Sequence, residues 1–299
     1  MRRLKGVVTP IITIFKQDGS VDYDAIRTLV ETLIAKGVHG LFPNGTTAEA
    51  PYLNAEERKA IAQLAVTTAA GRVPVFIHTG GINLFETIEF SRHAVDIGAD
   101  GIAVVTPSFF GLPQDAIAEY YITIAQALPQ DFPIYLYTIP ENTGNDILPV
   151  TAKLIAEKCP NVVGIKYSGD DMVQILEYVL IREGEFSVMC GNDRAFVPAL
   201  AGGCDGIVSG LSMVFPKRFR HIYDIWTAGR YEEAMQENRK LVADTVCILS
   251  KSPFLPRLKA SIDYIGQSGG PMRPPMPQIS AQDRAELYQQ LGQVDFSKS

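Results

Sequence analysis

Residues 134–166 read IYLYTIPENTGNDILPVTAKLIAEKCPNVVGIK. Two short apolar runs, 134–137 and 162–166, are rich in β-branched and aromatic residues. Between them, 148–158 carries apolar residues at helical spacing. This is a strand–helix–strand unit. Strands that are apolar almost throughout are expected where helices cover both faces of a parallel sheet. The unit repeats in both directions. Upstream, strands are predicted at 7–14, 40–43, 73–78 and 102–105, followed by helices over 23–36, 55–70, 84–97 and 114–127. Asp22 is placed to cap the first helix. Asn54 with Glu57 forms a capping-box pattern before the second. Downstream, strands at 187–190 and 206–209 alternate with helices over 172–182, 193–200 and 215–227. Eight such pairs in series predict an α/β protein, an eight-stranded parallel β/α (TIM) barrel, in preference to an open doubly wound sheet.

The stretches KGVHGLFPNG (36–45), IGADGIAVVTP (97–107) and GGCDGIVSG (202–210) share a glycine-led entry into a strand. They read as helix C-caps followed by tight turns. After residue 229 the rhythm breaks. Helices are expected over 231–249, 254–265 and 281–291, with a Gly- and Pro-rich loop at 266–277. The expected organisation is one structural domain: a barrel over 1–229 and an appendage of about three helices over 230–299.

The composition excludes several classes. Hydrophobic residues make up 46% of the 299, too many for a disordered chain. Lys and Arg number 27 against 33 Asp and Glu, a net charge of −6, which argues against nucleic acid or an anionic membrane as partner. No apolar run approaches the ~18 residues of a membrane span. The basic opening MRRLK is followed by Thr9, Pro10 and Thr13 without a small-residue cleavage site, so no signal peptide is expected. The cysteines at 159, 190, 204 and 247 form no CxxC pair and are expected to be reduced thiols in a cytoplasmic protein. The four histidines show no metal-ligand spacing, so no metal is expected, and neither a Walker loop nor a dinucleotide fingerprint marks a nucleotide cofactor.

In a β/α barrel the active site lies at the C-terminal ends of the strands. Lys166 closes the strand VVGIK, and period-two alternation puts Gly164 on its face, leaving room for the lysine stem. A desolvated amine is biased toward its neutral, nucleophilic form. Tyr137 ends the preceding strand, where its phenol can exchange protons beside that nitrogen. Read singly, Lys166 is equally a strand cap paired with a carboxylate, and Tyr137 a core aromatic bonded to a carbonyl. In NGTTAE (44–49), Gly45, Thr46 and Thr47 precede a helix start and offer N–H groups and hydroxyls to one carboxylate. His78 reads as a core histidine.

The ordered set Gly45-Thr46-Thr47-Ala48-Glu49, Thr106-Pro107, Tyr137-x-x-Pro140 with Thr143-Gly144, Gly164-Ile165-Lys166, Gly191-Asn192-Asp193 and Arg273-Pro274-Pro275 resembles the dihydrodipicolinate synthase / N-acetylneuraminate lyase family of class I aldolases. The resemblance covers nearly the whole chain. It implies a barrel with three C-terminal helices, commonly a homotetramer built as a dimer of dimers. It also implies that Lys166 forms a Schiff base with pyruvate or another 2-oxo acid, that Tyr137 shuttles protons, and that Thr46 and Thr47 hold the carboxylate. Gly45, Gly191 and Val208 complete the implied substrate-binding set, with Asp193 and Ser209 as candidates for distal hydroxyls.

Three positions depart from the synthase pattern. Asn142 stands where dihydrodipicolinate synthases carry an arginine for a dicarboxylic substrate. Ser108-Phe109-Phe110 lacks the tyrosine usually donated across an interface, and Ala48 replaces a glycine. TIPENTGNDI resembles the sugar-acid branch, such as 2-keto-3-deoxygluconate aldolases. The expected activity is therefore cleavage or formation of the bond between pyruvate and an aldehyde in a 2-keto-3-deoxy sugar acid. A dihydrodipicolinate synthase, a dehydratase of the same family and a non-catalytic binding barrel are the alternatives.

Overall fold

The computed structural model describes residues 3–296. Arg2, part of the basic N-terminal run, lies outside the described residues. Eight strands follow in chain order: β1 (Gly6–Pro10), β2 (Gly40–Phe42), β3 (Phe76–His78), β4 (Gly101–Val105), β5 (Ile134–Thr138), β6 (Val162–Tyr167), β7 (Ser187–Cys190) and β8 (Gly206–Val208). Between and after them run α1 (Tyr23–Ala35), α2 (Ala55–Ala69), α3 (Leu84–Asp96), α4 (Gln114–Gln126), α5 (Pro140–Thr143), α6 (Pro149–Lys158), α7 (Met172–Val179), α8 (Phe196–Ala201), α9 (Pro216–Thr227), α10 (Tyr231–Leu249), α11 (Phe254–Tyr264) and α12 (Ala281–Leu291). The sheet order is β2-β1-β8-β7-β6-β5-β4-β3. The first and eighth strands are neighbours, which is the strand order of a parallel β/α barrel with C-terminal helices.

The chain divides into two compact units. One runs to Gly6 and from Pro74 to Val208; the other runs from Val7 to Val73 and onward from Ser209. In the first unit, β5 pairs with β6 so that Tyr135 faces Gly164 and Tyr137 faces Lys166. The Gly164 space is not taken by the lysine stem, as the sequence suggests. A Cβ there would stand 2.5 Å from the Tyr135 ring and 2.4 Å from the Ser187 carbonyl. Tyr135 is fully buried, and its hydroxyl accepts from the Leu4 amide at 2.8 Å.

Several predicted boundaries shift for local reasons. The helix expected over 172–182 stops at Val179, because Arg182 (φ 52) and Glu183 (φ 55) turn left-handed. That turn aims the Arg182 guanidinium at the Val162 and Cys159 carbonyls, at 3.0 and 3.1 Å. The first strand ends at Pro10, although Ile11 still donates to the Phe42 carbonyl at 3.1 Å. The one-turn helix α5 escapes the sequence pattern. Pro140 opens it and Gly144 (φ 74) closes it.

In the second unit the caps fall where the sequence puts them. Asp22 accepts from the Ala25 amide, and Asn54 and Glu57 form both bonds of the capping box. The three tail helices are present. Arg257, buried in α11, donates to the Cys247 carbonyl and pairs with Asp283 of α12. Gly164→Ala is expected to destabilise the protein by about 1–3 kcal/mol, the cost of overpacking against fixed backbone. Urea unfolding measures it.

Candidate active site

Lys166 lies in the last turn of the pleat of β6, and only 7% of it is exposed. Its Nζ donates to Ser168 Oγ at 2.9 Å and stands 3.6 Å from the centroid of the Tyr137 ring. Tyr137 is buried, and His78, also buried, meets it edge-on at 5.8 Å. The predicted pair is therefore brought together, with the amine over the face of the phenol ring. Ser168 was missed in the sequence. The signal was present, because i+2 in an extended segment shares the lysine's face.

Gly191 serves this arrangement sterically. A Cβ there would fall 1.9 Å from Ser168 Oγ, so only glycine leaves the serine its place. Its amide donates to the Tyr167 carbonyl at 2.7 Å. Asp193 opens a short 3-10 turn, Asp193–Ala195. The preceding Asn192 donates to Asp170 at 2.6 Å and caps the turn through the Arg194 amide. Val208 ends β8 and is buried. Cys190, at the end of β7, has its thiol pushed up to about 11 by burial. It stays protonated at neutral pH and does not compete as a nucleophile.

Behind β5 and β6, Thr138 donates to Asp146 at 2.8 Å, and Gln174 donates to the other oxygen of the same carboxylate at 2.8 Å. Tyr167 donates to Gln174 at 3.1 Å. These bonds tie together the residues that follow Tyr137 and Lys166. Asn145 clamps the 107–112 loop, donating to the Pro107 and Phe110 carbonyls at 2.9 and 2.7 Å and accepting from the Leu112 amide at 2.8 Å. The loop presents Phe109 (φ 84) and Phe110, exposed by 85% and 70%.

The second unit carries the GTT motif. Thr46 and Thr47 are half-buried in a 3-10 turn, Thr46–Ala48, not at a helix start as expected. The helix begins only at Ala55, because Glu49 adopts a left-handed conformation (φ 57) that breaks the run. Thr13 donates to the Ala48 carbonyl at 2.7 Å. The Glu49 carboxylate is 2.6 Å from Lys259 Nζ, both side chains being almost wholly buried. Removing one partner of such a pair costs about 3–5 kcal/mol. Burial pulls the Lys259 amine down, and the Glu49 charge opposes that shift. Ser209 accepts from the Ser212 amide at 3.0 Å, and Ser212 in turn meets the Thr9 hydroxyl at 2.7 Å. Among the described residues no cluster of His, Cys, Asp or Glu is placed to hold a metal ion, and no helix is long and apolar enough to cross a membrane.

A β/α barrel with polar residues gathered at the C-terminal ends of its strands has the layout of an enzyme. The chain belongs to the dihydrodipicolinate synthetase family, whose model matches residues 3–294, and it is accordingly a carbon–carbon lyase. It is 33% identical over 291 residues to an uncharacterised DapA-like lyase of Halobacterium salinarum, covering 97% of this chain and 94% of that protein. It is 31% identical over 295 residues to a 4-hydroxy-tetrahydrodipicolinate synthase of Methanococcus maripaludis, covering 99% of this chain and all of that one. Among solved structures it is similar to YagE of Escherichia coli K12 in complex with pyruvate, with a TM-score of 0.91, 33% identity and coverage of 97% and 98%. Dihydrodipicolinate synthase from Aquifex aeolicus gives a TM-score of 0.92 at 30% identity, with 97% of each chain covered.

Ser168→Ala removes the hydroxyl that holds Lys166. Losing this one hydrogen bond, with Nζ left buried beside the Tyr137 ring, is expected to lower stability by about 1–1.5 kcal/mol, read by urea unfolding.

Proposed function

We propose that this protein is a Schiff-base aldolase that joins or separates pyruvate and an aldehyde in a 2-keto-3-deoxy sugar acid. The observation that carries the reading is the buried Lys166 at the end of β6, its Nζ held between Ser168 and the Tyr137 ring. The Lys166 amine adds to the C2 carbonyl of the oxo acid, and the carbinolamine loses water to give an iminium. The C3–C4 bond then breaks. Its electron pair moves into the iminium as an enamine, while the C4 hydroxyl gives up its proton and the C4 fragment leaves as an aldehyde. Protonation at C3 and hydrolysis release pyruvate and regenerate the amine. Tyr137 is assigned the proton transfers.

Thr46 and Thr47, with the Gly45 backbone, are assigned the substrate carboxylate. Gly191 and Val208 are assigned to the walls of the site, and Asp193 and Ser209 to the distal hydroxyls. The sugar-acid preference rests on Asn142, which sits exposed on α5 where a synthase would carry its arginine. The synthase relatives favour a second reading, condensation of pyruvate with aspartate semialdehyde. We place the enzyme in the cytoplasm as a homotetramer. Its free cysteines, of which Cys159, Cys190 and Cys204 are buried, and the exposed apolar side chains of Phe109, Phe110, Val173 and Leu180 support those two assignments.

Borohydride reduction in the presence of pyruvate is expected to leave one adduct, on Lys166, found by peptide mass spectrometry and abolished in Lys166→Ala. An unmodified Lys166 refutes the Schiff-base reading. In a substrate panel, 2-keto-3-deoxygluconate is expected to be cleaved at least tenfold faster than pyruvate and aspartate semialdehyde are condensed. The reverse order assigns the protein to the synthase reaction.

A further inference from the structure

The backbone of the Thr46–Ala48 turn is held by two 3-10 bonds, Ala48 N–H to Gly45 and Glu49 N–H to Thr46, each at 3.0 Å, and by the Thr13 hydroxyl on the Ala48 carbonyl at 2.7 Å. Bonds of the 3-10 type are poorly aligned, and short 3-10 segments move easily. The residue that closes the turn, Glu49, is left-handed without being glycine, a conformation that persists only where the surroundings impose it. The surroundings are charged and dry. Lys259 Nζ reaches the Glu49 carboxylate at 2.6 Å, with side-chain exposures of 2% and 1%. The Arg273 amide donates to the same carboxylate at 3.0 Å. Lys259 also donates to the Pro271 carbonyl at 2.9 Å. The Arg273 guanidinium grips both oxygens of Glu57 at 2.7 Å and the Tyr52 carbonyl at 2.9 Å. Helix α11 and the strap around Pro271 to Arg273 thus meet the end of the turn at a single carboxylate.

A buried ion pair is a poor source of net stability compared with apolar packing. What it supplies is orientation, because each charge has one place where it is compensated. We propose that Glu49 and Lys259 are positioning residues for the carboxylate-binding turn. Their pairing holds the Thr46 and Thr47 donors in the geometry that captures the 2-oxo acid. The inference rests on the assignment of Thr46 and Thr47 to the substrate carboxylate.

The test is borohydride trapping on Lys166 at graded pyruvate, read by intact-mass spectrometry beside a thermal melt. The variants are Thr47→Val, Glu49→Gln, Glu49→Asp and the double variant Glu49→Gln/Lys259→Met, which leaves no unpaired buried charge. Glu49→Gln and the double variant are expected to raise the half-saturating pyruvate concentration at least tenfold, and Glu49→Asp at least threefold. The adduct yield at saturation is expected to remain that of the parent. A purely structural pair would lower the melting temperature and leave half-saturation within twofold. That result in any folded Glu49 variant, with Thr47→Val still raising half-saturation, overturns the proposal. If Thr47→Val leaves half-saturation unchanged while Lys166 traps normally, the threonine assignment itself is wrong. If Glu49→Gln does not fold, the double variant decides. If that also fails, the charge-conserving Glu49→Asp decides by the same criterion.

Discussion

The Tyr135 ring occupies the space that a side chain at Gly164 would fill, and this close approach fixes how β5 lies against β6. A shift of one residue would turn every side chain of β6 to the opposite face. Lys166 would then leave the Tyr137 ring and the Ser168 hydroxyl. The hydroxyl of Tyr135 meets the Leu4 amide, so the same ring also anchors the chain just ahead of β1. The placing of Lys166 beside the Tyr137 ring is thereby set two residues below it, by an aromatic ring against bare backbone. Packing of this kind is stiff because no rotamer change relieves it.

Two different devices hold the strand ends and turns of the two units. In the first unit, hydrogen bonds without ion pairing do the holding: Thr138 and Gln174 on the Asp146 carboxylate, with Tyr167 on Gln174, brace the strand ends, and Asn145 clamps the loop of Phe109 and Phe110. In the second unit, charge does the holding, through Glu49 with Lys259 and Glu57 with Arg273. The Glu57–Arg273 pair lies nearer solvent. Its guanidinium holds the Glu57 carboxyl below the usual carboxylate range, so the stabilisation is fully present above that range and is lost only as the pH falls below it, through the lowered folded-state value. Three motifs that look unrelated in the sequence, GTTAE, the α2 capping box and RPP, are parts of one contact region in this unit.

Much of this was legible in the amino-acid order. Alternating apolar runs at periods of 2 and 3.6 announce the strand–helix repeat, because parallel strands covered on both faces must be apolar throughout. The caps at Asp22 and Asn54 are local interactions and are read locally. Lys166 and Tyr137 stand out because a charged or phenolic group ending an apolar strand has few structural uses. Ser168 was within reach of the same alternation. The left-handed turn at Arg182 and the one-turn helix α5 were not, since their reasons are contacts to carbonyls and a cap beyond any periodic pattern.

The sequence by itself determined the parallel β/α class, the order of its elements and the identity of the strand-end lysine and tyrosine. Those follow from local periodicity and from the residue's own chemistry. Only the tertiary structure decided that Gly164 makes room for Tyr135, that Gly191 makes room for Ser168, and that Glu49 finds Lys259 and the Arg273 amide. These are steric and electrostatic matches between segments far apart in the chain, and no local pattern encodes which distant partner fills a given space.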